Sequence, residues 1–163
     1  QYPRDVIELL DRMDELAPSG VLFTGDPKKC SDLYTVDSWG HAAHTAWEAL
    51  LVLADYLRAR QAGDWTGAVH GYLNDTPTGY RPLSAKKHVP TETNATMQQF
   101  GGERVFPVPT DVSPDGRTVM QAHFKLFQIG MVSPRLYYLD DFSRTGKIYV
   151  GYIGEHLTNT HTN

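Results

Sequence analysis

Residues 135–153 read RLYYLDDFSRTGKIYVGYI, and this stretch decides the predicted fold. Residues 135–140 and 147–153 are rich in Tyr, Leu, Ile and Val, which favour β-strands. The segment between them ends in Thr145-Gly146, and glycine suits a tight turn. We therefore predict two antiparallel strands joined by a short loop.

The residues upstream of this hairpin continue the period-two pattern. Residues 117–128 alternate between apolar and polar side chains, as a half-buried strand does. Residues 103–109 form a shorter run whose two prolines place it at a sheet edge, because proline has no N–H to donate. Residues 91–163 are therefore predicted to form an antiparallel sheet of about four strands.

The first half of the chain has helical periodicity instead. Apolar residues recur every three or four positions in 3–17, and again in 39–61, where Ser38 is the expected N-cap and Gly63 the stop. A shorter helix is expected at 65–73, with residues 75–90 as a connector. The predicted fold class is α+β: two or three helices, within residues 1–74, packed on the sheet, all in a single domain spanning 1–163.

The composition and charge of the chain limit the functional classes to which it can belong. The chain has 163 residues, 40% of them hydrophobic, and a net charge of −4. Residues 1–80 carry six basic and twelve acidic side chains, whereas 81–163 carry nine basic and seven acidic. Bulk nucleic-acid binding is disfavoured, but a small phosphate site in the second half stays open.

The sequence also predicts the cellular compartment of the protein. The sequence contains no long apolar run and no signal-peptide pattern, and its single Cys30 cannot form an internal disulfide. We expect a cytoplasmic protein that contacts no membrane. Because the chain begins with Gln1, we also expect it to belong to a longer protein.

One helix face carries candidate metal ligands. His41, His44 and Glu48 lie within about 60° of each other on the predicted helix 39–61. This spacing could supply three ligands to zinc or iron. The stripe also lies opposite the apolar face of the helix, which is the usual position of a solvated surface. A docking surface for a protein partner is the third interpretation.

The predicted sheet gathers a second group of polar residues. Neighbouring strands would place the following side chains on one face or its rim: His123, Lys125, Arg135, Tyr137, Lys147, Tyr149 and His156. Cationic side chains hold phosphate and stabilise an oxyanion, while His and Tyr transfer protons. This set suffices for metal-independent RNA cleavage by 2′-hydroxyl attack. Alternatively, these are the solvent-facing residues of any half-buried sheet.

Two resemblances accompany these residues. The segments 103–109, 120–125, 134–141 and 146–157 resemble the last 60 or so residues of uncharacterised bacterial proteins. The pattern Arg-x-Tyr-Tyr, turn, strand and Ile-Gly-x-His also resembles the final hairpin of RelE/ParE-type toxins, over about 25 residues. That second resemblance implies a phosphate-binding role for Arg135 and a terminal basic or histidine role for His156.

Two functions follow as expectations. The first is a non-catalytic interaction or regulatory module of a longer bacterial protein, which needs no cofactor and binds a protein partner through the outer face of helix 39–61. The alternative is a metal-independent ribonuclease of the toxin type that uses the polar sheet face.

Overall fold

The computed structural model describes residues 1–160. Its α-helices are α1 (Val6–Asp11), α2 (Pro27–Cys30), α3 (Asp32–Val36), α4 (His41–Ala62), α5 (Val69–Asn74), α6 (Asn94–Phe100) and α7 (Phe142–Thr145). Its strands are β1 (Val21–Phe23), β2 (His88–Val89), β3 (Val105–Pro107), β4 (Arg117–Val119), β5 (His123–Lys125), β6 (Pro134–Asp141) and β7 (Lys147–Glu155). The α+β class is therefore confirmed.

The main sheet has five strands in the order β1-β7-β6-β5-β2. Three of its pairings are antiparallel, but β1 pairs with β7 in parallel, so the sheet is mixed. β3 and β4 form a separate two-stranded ribbon. The prediction of a purely antiparallel sheet is wrong on this point, because the short strand β1 was not expected.

The central hairpin β6–β7 matches the predicted one and contains a bulge. Tyr137 pairs with Tyr152, whereas Tyr138 pairs with Val150, so Gly151 is the extra residue. A Cβ at Gly151 would lie 2.7 Å from Phe106 Cβ and from Met120 Sδ, so only glycine fits. The bulge shifts the alternation by one residue, which lets Ile153 as well as Ile148 and Val150 reach the main core.

That main core lies between one face of the sheet and the helices. α4 contributes more to it than any other element, and eleven of its 22 residues are buried. Sequence periodicity placed this helix at 39–61, and Gly63 ends it in a left-handed conformation as expected. Its start differs: Gly40 is the cap residue, and the Asp37 carboxylate accepts hydrogen bonds from the backbone of Ala42 and Ala43.

The other elements of the first half are shorter than predicted. The helix expected at 3–17 is limited to α1, followed by two 3₁₀ turns, because the Asp5 side chain caps it through Glu8 N. The helix expected at 65–73 begins at Val69. The connector 75–90 ends in the edge strand β2, which sequence analysis did not anticipate. No helix among residues 1–160 is long and apolar enough to cross a membrane.

The second face of the sheet is covered by the β3–β4 ribbon. The strand predicted over 117–128 is interrupted after Val119, so that β4 joins the ribbon and β5 joins the main sheet. A second apolar cluster forms between ribbon and sheet from Phe106, Val108, Met120, Tyr137 and Tyr149. The sheet is therefore enclosed on both sides over much of its area.

Candidate functional site

The strand register places four of the predicted site residues side by side. His123 pairs with Tyr137, and Lys125 pairs with Arg135, across β5 and β6. Directly paired residues project to the same face of a sheet, so these four side chains share one face. This part of the sequence-based grouping agrees with the structure.

Several of these side chains are buried, however, whereas a half-buried sheet would expose its polar face to solvent. Tyr137 and Tyr149 are almost fully buried in the second apolar cluster, and His123 is buried beside them. The rings of His123 and Tyr137 stack with centroids 4.4 Å apart. Burial, the largest cause, lowers the pKa of His123. These side chains stabilise the packing of the ribbon on the sheet.

Lys147 does not share a site with Arg135. Lys147 pairs with Asp141 at one end of the hairpin, whereas Arg135 pairs with Gly154 at the other. Six residues of extended strand separate the two positions on β6, which corresponds to about 20 Å. His156 follows the Arg135 end, and its Nδ1 lies 3.0 Å from the carbonyl oxygen of Leu157. The predicted catalytic group of Arg135, Lys147 and His156 is therefore not assembled.

A buried ion pair occupies the covered face instead. Arg104 is fully buried, and its Nε donates to Glu92 Oε2 at 2.7 Å. The hydroxyl of Tyr137 donates to the same oxygen at 2.5 Å. Burial raises the pKa of Glu92, but hydrogen bonds from Tyr137 and Arg104 outweigh it, so this pKa is lowered overall. The guanidinium also donates to the carbonyls of Phe100 and Thr158, so the group ties the terminal segment to the sheet.

The proposed metal ligands of α4 do not form a metal site. The imidazole of His44 stacks on Tyr2, with ring centroids 3.7 Å apart, and lies 3.8 Å from the carboxylate of Glu48. The ring of His41 contacts the edge of Phe127 instead. No group of three or more metal-binding side chains occurs within residues 1–160. Within this part of the chain, His41, His44 and Glu48 are therefore not brought together as a three-ligand group.

The outer face of α4 is also smaller than the sequence indicated. Its only fully exposed residues within the helix are His41, Arg58, Gln61 and Ala62. Between these two ends, Asp55 accepts a hydrogen bond from the backbone of Arg81, and the guanidinium of Arg58 lies over the ring of Tyr80. The connector therefore covers the middle of this face, which leaves exposed surface at His41, near the N-terminal end, and at Arg58, Gln61 and Ala62, near the C-terminal end.

A basic pocket lies beside that N-terminal end. It has a volume of about 310 Å³ and is lined by Thr45, Ser84, Lys86, Lys87, Lys125, Leu126 and Phe127. We call it the lysine pocket. Its lining contains three lysines and no carboxylate. Thr45 lies one turn after His41 on α4 and accepts a hydrogen bond from the backbone N–H of Phe127, which fixes this end of β5 against the helix.

The pocket adjoins a further cation on the sheet. Lys87 ends the 3₁₀ turn directly before β2, and its side chain lines the pocket together with Lys125. Lys125 in turn pairs with Arg135 on β6. We call Lys87, Lys125 and Arg135 the basic row. Like charges placed directly opposite each other destabilise a sheet, so the pairing of Lys125 with Arg135 carries an energetic cost in the free protein.

A second cavity opens at the other end of β2. It has a volume of about 200 Å³ and is lined by Ala68, Val69, His70, His88, Pro90, Ala122, Tyr138 and Asp140. His70 Nδ1 lies 3.0 Å from His88 Nδ1, and His88 Nε2 lies 2.6 Å from the hydroxyl of Tyr138. We call this the histidine cavity. Sequence analysis missed it because its residues come from α5, β2, β5 and β6, and no spacing pattern relates them.

Burial controls protonation in the histidine cavity. Burial, followed by the nearby His70 and His123, lowers the pKa of His88 to about 4, so this ring is neutral at pH 7. Burial, followed by Asp140 and Tyr56, raises the pKa of Tyr138, which therefore keeps its phenolic proton. The Asp140 carboxylate accepts from the hydroxyl of Tyr56 through Oδ2 and from the backbone N–H of Phe142 through Oδ1.

Comparisons with known proteins do not extend this description. No protein-family model, no curated protein and no solved structure matches the chain.

Proposed function

We propose that this protein is a non-catalytic binding module whose ligand is a single-stranded nucleic acid, held by its phosphates at the lysine pocket and the basic row. The observation that carries the proposal is that Lys125 lines one pocket with Lys86 and Lys87 and is also paired with Arg135 on the neighbouring strand. Phosphate oxygens would relieve the repulsion among these cations.

The electrostatics of the whole chain favour a local site of this kind. The net charge is −4, so the protein has no general attraction for polyanions. The lysine pocket nevertheless combines three cations with no lining carboxylate. A phosphate chain that binds here would contact a small positive patch on an otherwise acidic protein, which favours a short ligand over long duplexes.

Exposed aromatic rings adjoin the same surface. The side chain of Phe127 lines the pocket and is 46% exposed, and the ring of the exposed His41 packs against its edge. Every nucleobase has a π-face, so aromatic side chains beside a basic groove bind single strands with little sequence preference. Stacked bases of a duplex would not be available to these rings.

The test is binding of single-stranded RNA of about 12 nucleotides by fluorescence anisotropy at several salt concentrations. If all four cations contact phosphates, log K should fall with log salt with a slope of about −2.8. Affinity should then drop about 50-fold between 50 and 200 mM salt. The double variant Lys87→Gln/Lys125→Gln should reduce the slope to about −1.4.

A matched control carries the same change of net charge. Lys28→Gln/Lys29→Gln alters two exposed lysines on α2, which packs against β7, away from the β2 edge. This variant should bind like the wild type. Binding that is absent at 50 mM salt, or that weakens equally in both double variants, would refute the proposal. Single-stranded DNA and duplex RNA of the same length serve as further arms, and preferential duplex binding would also refute it.

A further inference from the structure

The histidine cavity presents a defined pattern of hydrogen-bonding groups. Within residues 1–160 the only hydrogen-bond partner of the buried Tyr138 hydroxyl is His88 Nε2, 2.6 Å away. A buried phenol proton needs an acceptor, so the phenol donates to this nitrogen. The neutral His88 ring must then carry its proton on Nδ1, which donates to Nδ1 of His70. Because His70 Nδ1 accepts this hydrogen bond, the N–H of the His70 ring is on Nε2.

Two groups of the cavity are therefore available to a ligand. Nε2–H of His70 is a donor, and the carboxylate of Asp140 is an acceptor. Each carboxylate oxygen can accept two hydrogen bonds, and the bonds from Tyr56 and Phe142 use one on each. The remaining walls are apolar and come from Ala68, Val69, Pro90 and Ala122. Such walls suit the faces of a flat ring.

The size of the cavity limits the ligand to one ring. A dry cavity of about 150 Å³ holds benzene, which has six heavy atoms. On that scale the volume of about 200 Å³ corresponds to about eight heavy atoms, the number in a pyrimidine base. Purines have ten or more. A donor and an acceptor in one cavity complement the N3 acceptor and the N4 amino donor of cytosine, and oppose the N3–H and O4 of uracil.

We propose that the histidine cavity is a base-selecting site that takes an unstacked cytosine of a bound single strand, with Asp140 accepting from its amino group and His70 donating to N3. This inference rests on the proposed function, since the phosphates of the same strand would occupy the lysine pocket. The two sites flank β2, and residues 86–90 between them span about 13 Å of extended chain. A strand of a few nucleotides reaches both.

The experiment compares oligocytidylate with oligouridylate of about 12 nucleotides in the same anisotropy assay. The wild type should bind oligocytidylate about tenfold more tightly or better, as expected for one two-bond base contact. Asp140→Asn and His70→Leu should lower the ratio of the two affinities toward one, because each weakens or removes one of the two bonds to the base, whereas Lys28→Gln/Lys29→Gln should leave the ratio unchanged. His70→Gln, which keeps an N–H donor, should retain part of the preference.

A second measurement does not depend on the variants folding. Cytidine added to the wild type should shift the ring resonances of His70 and His88 in a ¹H–¹³C spectrum, and uridine should not. If both homopolymers bind equally and their binding depends on Lys87 and Lys125, base selection is refuted and the proposed function stands. If neither homopolymer binds, the proposed function is refuted; the cavity then stands only if cytidine shifts the histidine resonances.

Discussion

The buried pair of Arg104 and Glu92 offers a quantitative test of how the sheet is closed. Only 1% of the Arg104 side chain and 9% of the Glu92 side chain are exposed, and their closest atoms lie 2.7 Å apart. Replacing Glu92→Gln would leave the guanidinium buried without a counter-charge. Breaking such a pair costs about 3–5 kcal/mol. Because small proteins unfold with about 5–15 kcal/mol, this is a large part of the total stability.

The double variant separates the ion pair from simple packing. Arg104→Met alone should also destabilise the protein, because the carboxylate loses its partner while Tyr137 remains its donor. In Glu92→Leu/Arg104→Met no charge is left without a partner, so the double variant should be more stable than either Arg104→Met or Glu92→Leu alone. Urea unfolding followed by circular dichroism gives all of these free energies.

The exposed pair of Arg4 and Glu8 provides the control. These side chains have the same separation of 2.7 Å, but that of Arg4 is 86% exposed. Glu8→Gln should therefore leave the unfolding free energy nearly unchanged, because solvent screens the pair. A cost below about 1 kcal/mol for Glu92→Gln, or strictly additive costs in the double variant, would show that the buried pair does not hold the second face together.

Two further predictions concern the main core. The pKa of His88 is depressed from 6.5 to about 4, so its contribution to stability is present above pH 6.5 and is lost as the pH falls toward 4. His88→Asn should therefore lose less unfolding free energy than the wild type between pH 7 and about pH 4, by up to roughly 3 kcal/mol, and urea unfolding at each pH measures the difference. Asp37→Ala should lower the free energy of unfolding by about 1–2 kcal/mol, since it removes the hydrogen bonds to the first turn of α4, and an unchanged urea midpoint would contradict that capping role.

Local patterns predicted the parts of the fold that depend on neighbours in sequence. The hairpin β6–β7 and the long helix α4 were recovered nearly in full, because their apolar spacing extends over many residues and a glycine ends α4. Strand β1 has only three residues, and its parallel partner lies more than 120 positions away, at β7. No period can be detected in three residues, and parallel pairing leaves no turn signal.

The error at residues 117–128 has a different cause. Met120 and Phe124 have the same parity, so alternation assigned them to one face of one strand. The chain leaves the ribbon between them, and Met120 packs in the second cluster while Phe124 packs in the main core. Both positions are apolar and buried, so hydrophobicity alone cannot tell which layer each one joins.

The lysine pocket and the histidine cavity both depend on the interruption of the predicted strand after Val119. β5 begins at His123 and ends at Lys125, beside the first turns of α4. This short strand pairs with the two-residue strand β2. Lys87 and Lys125 then meet at one end of β2, and His88 turns toward Tyr138. Lys87 lines the lysine pocket, whereas His88 lines the histidine cavity. A ligand that uses both must wrap around the β2 edge, which an extended single strand can do and a rigid duplex cannot.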